Sequence, residues 1–309
     1  MLSSDLTAMK IYPLQERSMS QTIPHLQTAP GYQVLAAAGK TVLRPGGRAA
    51  TDRLLQWANF QPGETVLELA SGLGTSAIAL AERYDIKIVG IEADPNSVAI
   101  AQSRVRAARL SDRVQIIPGN IFQLESLPQQ FDCVFAEAIL TMQSPAGKAK
   151  ILQGVRDCLK PGGRFLSHEL TVSDRSEGID RDLAWATRVN SMPLNESGWK
   201  EELLQAGLTV TRCQTGPMRL LEPVQLLQDE GLAGTAKLLW NVVTQPVLRD
   251  RLLTMGRVFN RHRQNLSYII LSSHRENAEL RDPNGDTLKV PFRTIGTQRF
   301  DRNFLYFQA

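Results

Sequence analysis

Three acid and glycine positions carry the first chemical signal of this chain. Within Val66-Leu67-Glu68-Leu69-Ala70-Ser71-Gly72-Leu73-Gly74-Thr75-Ser76, Gly72 and Gly74 leave the backbone bare at a tight turn. A ligand can then approach the main chain, and a turn residue can take positive φ. Glu68, four residues ahead of Gly72, is an acid inside an apolar run. It suits a ligand carrying positive charge and sits badly beside a pyrophosphate. A second acid, Glu92, falls twenty residues beyond Gly72 at the end of Lys87-Ile88-Val89-Gly90-Ile91-Glu92. At that spacing its carboxylate can accept hydrogen bonds from both hydroxyls of a ribose.

These residues need a particular scaffold. The apolar residues up to Leu69 predict a buried parallel strand, and Ala77-Ile78-Ala79-Leu80-Ala81 predicts a helix packed on the sheet. Lys87 to Glu92 reads as the next strand, whose carboxyl end lies beside the first turn. Asp94-Pro95 reads as an N-cap with proline in the first helical turn. The turn also satisfies the looser form of a dinucleotide fingerprint, so the glycines alone do not choose the ligand.

The segment Glu68-Leu69-Ala70-Ser71-Gly72-Leu73-Gly74 resembles motif I (E/D-x-x-x-G-x-G) of the class I S-adenosylmethionine-dependent methyltransferases, and Leu159-Lys160-Pro161-Gly162-Gly163 is similar to a structural turn common in that family. The resemblance implies an α/β fold, a doubly wound and mostly parallel seven-stranded sheet of order 3-2-1-4-5-7-6 with the last strand antiparallel. It implies S-adenosyl-L-methionine as cofactor and transfer of its methyl group to an oxygen, nitrogen or carbon of a small-molecule acceptor. The implied cofactor contacts are Glu68, Gly72 and Gly74 at the methionine end, Glu92 at the ribose, Asn120 and Ile121 at the adenine, with Ala70, Ala93 and, at the carboxyl end of the fourth strand, Glu137 as further contacts. Where enzymes that methylate base amines carry N/D-P-P-Y/F, this chain has Ala136-Glu137-Ala138-Ile139, which argues against nucleobase methylation. The rival readings are a nicotinamide oxidoreductase, disfavoured by Glu68 and the Lys-Pro-Gly-Gly turn, a non-catalytic S-adenosylmethionine-binding protein, and a methyltransferase acting on a macromolecule.

Glu137 and His168 are the catalytic candidates. Glu137 is placed to orient or deprotonate an acceptor, or else to cap a turn or bond the cofactor. His168, near the end of the strand beginning at Arg164, is either a base or a hydrogen-bonded structural residue.

Around this core, residues 1–30 read as an N-terminal arm interrupted by Pro13, Pro24 and Pro30, and residues 31–275 as the methyltransferase domain. N-terminal helices precede the first strand. Tyr32 and the turn from Arg44 to Gly47 either approach the cofactor or only connect helices. Residues 173–193 are expected to form a lid with Trp185 and Met192 facing inward. A helical insertion between the last two strands, about 222–263, repeats Leu248, Leu252, Met255 and Phe259 at helical spacing as a buried face. Its Arg249, Arg257 and Arg261 either form a solvated face or favour an anionic acceptor. Residues 276–309 read as an extension with a hairpin turn at Asp282-Pro283-Asn284-Gly285-Asp286.

Composition bounds the alternatives. The 309 residues are 42% hydrophobic and 21% charged with a net charge of +4, as in an ordinary globule. The basic residues are scattered, which gives no nucleic-acid stripe. Cys133, Cys158 and Cys213 lack zinc-site spacing, so no metal is expected. No apolar run approaches a membrane span, and no signal-peptide pattern opens the chain, so the expected location is cytoplasmic.

Overall fold

In a computed structural model, residues 23–173 and 178–276 are described. The expected arm over residues 1–22 and the expected hairpin near Asp282 lie outside them. Residues 23–28 form α1 (Ile23–Thr28), and α2 (Gly31–Ala37) follows at once.

The strands β1 (Thr65–Leu69), β2 (Lys87–Glu92), β3 (Val114–Pro118), β4 (Phe131–Glu137), β5 (Leu159–Val172), β6 (Leu208–Pro217) and β7 (Leu266–Arg275) form one sheet of order β3-β2-β1-β4-β5-β7-β6. β7 runs antiparallel to both β5 and β6, and the other pairings are parallel. The expected topology therefore holds. The chain reverses its direction of travel across the sheet between β1 and β4, and a crevice opens at the carboxyl ends of those strands, where ligands of such sheets bind.

Each face of the sheet has its own core. On one, Ile151, Leu152 and Val155 of α6 (Pro145–Cys158) and Trp199 and Leu203 of α8 (Glu196–Gln205) pack on Leu67, Val134 and Phe165. On the other, α3 (Gly47–Ala58), α4 (Thr75–Arg83) and α5 (Pro95–Ala107) bury Leu54, Leu80 and Val98 against Val66, Ile88 and Phe135. Cover on both faces explains why β1 reads as an unbroken apolar run apart from Glu68.

A third cluster lies over the carboxyl end of β5. There Val34 and Leu35 of α2, Leu183 of α7 (Ile179–Thr187), Leu238 of α9 (Pro223–Thr244) and Leu248 and Met255 of α10 (Pro246–Arg261) meet Leu170 and Val172. The insertion is thus helical, as expected, and its apolar stripe is buried apart from Phe259, which is half-buried. Trp185 departs from expectation. It points to solvent with 66% of its surface exposed, because Ile179, Leu183 and Ala186 supply the inward face of α7.

The Leu159-Lys160-Pro161-Gly162-Gly163 turn is an excursion inside β5 rather than a lead into it. Phe131 pairs with Leu159 and Cys133 with Arg164, so the four residues between bulge out opposite Asp132. Lys160 Nζ clamps the bulge on Asp132 at 2.8 Å.

Candidate functional site

The glycine turn joins the carboxyl end of β1 to α4. Gly72 has φ +53° and Gly74 φ +73°, and a Cβ placed on Gly72 would meet nothing within 4 Å. The turn leaves open space at Gly72, whereas a Cβ on Gly74 would come 3.2 Å from Ala101 Cβ. Glu68 lies in β1 opposite Gly90 of β2. The residue is 6% exposed, and its Oε2 has no hydrogen-bond partner. Burial, with the neighbouring Glu137 carboxylate, pushes Glu68 up to about 8 against the pull of Arg44, Ser76 and the Ala77 N–H. The hydroxyl of Ser71, within the turn, is likewise buried without a partner. Orphaned buried polar atoms cost free energy unless a ligand completes them. An acid beside a bare turn fits a cationic group.

Glu92 brackets the turn from β2. Its Oε2 accepts the Gly72 N–H at 2.9 Å and its Oε1 the Asp94 N–H at 3.0 Å, and each oxygen keeps lone-pair capacity. Asp94 caps α5 by accepting from the N–H groups of Asn96 and Ser97, with Pro95 opening the helix as expected. Ala93 stands exposed between these acids. Gly119 N–H donates to the Glu92 carbonyl at 2.9 Å and so brings the loop after β3 to the same edge. Asn120 is exposed there. Its Oδ1 accepts the Phe122 N–H at 3.0 Å, while Ile121 packs partly against the core. Ala70, with φ +50°, completes the turn.

Glu137 ends β4 in a tight polar knot. Its carboxylate accepts from Arg44 Nε and from the Thr51 hydroxyl, and its Oε1 lies 3.5 Å from His168 Nδ1. Burial opposes its ionisation, but Arg44, His168 and Thr51 outweigh it and hold the carboxyl down at about 2. The His168 ring is fully buried, and its Nε2 accepts the Gly46 N–H at 3.0 Å. Nδ1 therefore carries the proton in the neutral ring and faces Glu137 and Thr51. Burial keeps the imidazole below its ordinary value. Arg44 Nη2 also donates to Ser76 Oγ at 3.2 Å, so the turn after α2 reaches from β4 to the start of α4. The turn thus touches Glu137 and Ser76 as well as joining α2 to α3. Glu169, the next residue on β5, points to the other face of the strand. It accepts from Leu140 N–H, Thr141 N–H and the Thr141 hydroxyl. Burial raises it to about 7.

A cavity of about 130 Å³ lies beyond this knot. Leu43 and Pro45, the neighbours of Arg44, line it together with Ala138, the neighbour of Glu137, and with residues from α2, α7 and α10 and the segment after β6. Arg249, Arg257 and Arg261 are exposed and do not line it, so the solvated-face reading describes them.

The sequence thus pointed to Glu68, Gly72, Glu92 and Glu137, and the structure gathers them around one crevice. It did not reveal Thr51, Ser71 or Ser76, which have no periodicity or spacing to mark them. Nor did it reveal the buried group of Lys40 with Asp229 and Glu230, 3.3 and 3.4 Å away, which fixes α9 to the segment before α3. Among the described residues no cluster suited to a metal occurs, and the three cysteines are free.

Residues 66–163 match the family model of a methyltransferase domain. The chain is 33% identical over 246 residues to an uncharacterized protein of Haemophilus influenzae, covering 79% of this chain and 98% of that one. It is 28% identical to phosphoethanolamine N-methyltransferase 2 of Caenorhabditis elegans over 47% of this chain, and it spans about a third (32%) of that relative's length. Its fold is similar to that of the cyclopropane synthase MmaA2 of Mycobacterium tuberculosis, with a TM-score of 0.62 at 16% identity over 82% of this chain and 99% of the other. Sheet order, motif I, the acid at the end of β2 and the match over β1 to β5 agree, and the chain belongs to the class I S-adenosylmethionine-dependent methyltransferases.

Proposed function

We propose that this protein binds S-adenosyl-L-methionine at the carboxyl ends of β1 and β2 and methylates a small molecule held in the pocket beyond Ala138. The observation that carries the reading is the pairing of an unpartnered, buried Glu68 oxygen with open space at Gly72. Glu68, Ala70, Gly72 and Gly74 would hold the methionine end, Glu92 and Ala93 the ribose, and Asn120 with Ile121 the adenine. The bound cofactor supplies an electrophilic methyl group on a sulfonium.

The chain's own residues then act by alignment and exclusion of water. Glu137, held near 2, is a weak base and already satisfied by Arg44, Thr51 and His168. His168 offers neither ring nitrogen to a ligand in this arrangement. Both are positioning residues: His168 fixes the Gly46 backbone, and Glu137 fixes Arg44 against Ser76. No protein base is needed for an acceptor whose nucleophile is already deprotonated or carries a free lone pair.

Calorimetric titration with S-adenosylhomocysteine and NAD in parallel tests the cofactor. Binding of the first and silence from NAD is the expected result, and the reverse would overturn the reading. Glu92→Ala should weaken S-adenosylhomocysteine binding by about 1–3 kcal/mol, since charged hydrogen bonds are unmade and the Gly72 N–H loses its acceptor. Unchanged affinity would remove Glu92 from the site. The fold alone does not settle the reaction. Transfer of a labelled methyl group from the cofactor to an acceptor separates an enzyme from a binding protein.

A further inference from the structure

The lining of the pocket beyond Ala138 carries a second message, about what enters it. Among the described residues it contains no lysine, arginine, aspartate or glutamate. Leu35, Met142, Leu183, Met218, Met255 and Phe259 give it an apolar wall. The threonine hydroxyls in the wall are spent inside the protein. Thr141 donates to Glu169 at 2.6 Å and accepts from Leu170 N–H at 3.1 Å, and Thr187 donates to the Leu183 carbonyl at 2.7 Å. Tyr32 and Ser191 remain as side-chain hydroxyls able to meet a ligand. Arg44 and Glu137, beside the lining residues Leu43, Pro45 and Ala138, pair with one another, and Arg44 also donates to Ser76. Glu169, behind Thr141, is taken up by the Leu140 and Thr141 N–H groups.

We infer that the acceptor is a neutral, largely apolar small molecule with a single polar group, and not a phosphorylated or zwitterionic one. This rests on the methyl-transfer reading of the same site. A phosphate or a free carboxylate placed here would lose its hydration with no counter-charge to replace it, a cost that apolar contacts do not offset. An apolar body gains from every wall of the pocket. One hydroxyl or amine on such a body would be oriented by Ser191 or Tyr32.

The test uses the neutral fluorophore N-phenyl-1-naphthylamine on the full chain, with S-adenosylhomocysteine calorimetry on the same samples. The probe should bind and should resist displacement by phosphoethanolamine or glycine. Val189→Asp and Met142→Glu, both at half-buried wall positions, should each weaken the probe by about tenfold or more while S-adenosylhomocysteine affinity stays unchanged. Leu239→Ser, on the exposed surface of α9, should leave both unchanged. Displacement of the probe by phosphoethanolamine, or its loss in Leu239→Ser with retention in the two wall variants, would overturn the inference. If S-adenosylhomocysteine binds normally while the probe does not bind, the acceptor inference fails by itself. Probe binding that obeys the wall variants in a protein silent to S-adenosylhomocysteine would overturn the methyl-transfer reading and keep the apolar site.

Discussion

At the scale of single residues the site is governed by two carboxyls that burial treats alike and neighbours treat differently. Glu137 has a guanidinium, a hydroxyl and an imidazole around it and stays ionised, whereas Glu68 has a free oxygen and a like charge nearby and is raised to about 8. A cationic ligand group would favour the ionised form of Glu68, so binding below pH 8 must expel its proton. S-adenosylhomocysteine affinity should therefore rise between pH 6 and about 8.5, with proton release visible as a dependence of the calorimetric heat on buffer ionisation enthalpy. Glu68→Gln should weaken binding by about 1.5–3 kcal/mol, the worth of a hydrogen bond to a charged group, and remove the part of the pH dependence that Glu68 causes. An identical pH profile in the variant would show that Glu68 does not meet the cation.

At the scale of elements, the crevice exists because neighbouring segments are fitted to each other with little slack. Gly90 of β2 lies under the turn, and a Cβ there would come 2.7 Å from Ser71 Oγ and 2.6 Å from Ile116 Cδ1. Gly90→Ala should cost about 1–3 kcal/mol of stability, the usual price of overpacking, and should weaken cofactor binding because Ser71 is displaced. Normal binding would mean that the turn is softer than its contacts imply. The helical cover is fixed by a different means. Asp229 accepts from the Arg48 N–H at 2.9 Å and lies 3.3 Å from the buried Lys40 ammonium. Glu230 takes the N–H groups of Thr41 and Val42 at 3.0 and 3.1 Å. Next to them Gly231, with φ +68°, breaks the helical path of α9. Asp229→Ala strands Lys40, and chemical denaturation should report a loss of about 3–5 kcal/mol, as for other broken buried pairs. A loss below about 1 kcal/mol would show that Lys40 is satisfied by Glu230 alone.

At the scale of the whole molecule, the buried acids set the pH range of stability. Glu68 and Glu169 are raised from 4.5 to about 8 and about 7. The folded state binds their protons more tightly, so their contribution is fully present below about 4.5 and is lost as pH rises through 7 and 8. Glu137 is lowered from 4.5 to about 2, and its contribution is present above 4.5 and lost as pH falls towards 2. The thermal midpoint of the unliganded protein should therefore be highest near pH 4.5 and decline from there as pH rises to about 8. Glu68→Gln should flatten that decline, and scanning calorimetry across this range checks both. A wild-type midpoint that is constant from pH 6 to 9 would contradict the raised values.

The sequence by itself determined the sheet, the glycine turn and the acids at the ends of β1, β2 and β4, because each of these depends on residues close together in the chain or on the fixed geometry of a βαβ unit. Gly72 and Glu92 are twenty positions apart, and one crossover brings them together. The acceptor pocket depends on nothing so local. Leu43, Ala138, Leu183, Met218 and Met255 share a wall only after α2, α7 and α10 have packed over β5. Apolar residues that line a cavity have the same periodicity as those that fill a core, so no spacing sets them apart. The same limit applied to Trp185, whose inward or outward direction depended on which face of α7 its neighbours occupied. It applied also to Arg44, whose partner Glu137 lies far along the chain. Tertiary packing decided which apolar faces closed into core and which were left open for a ligand.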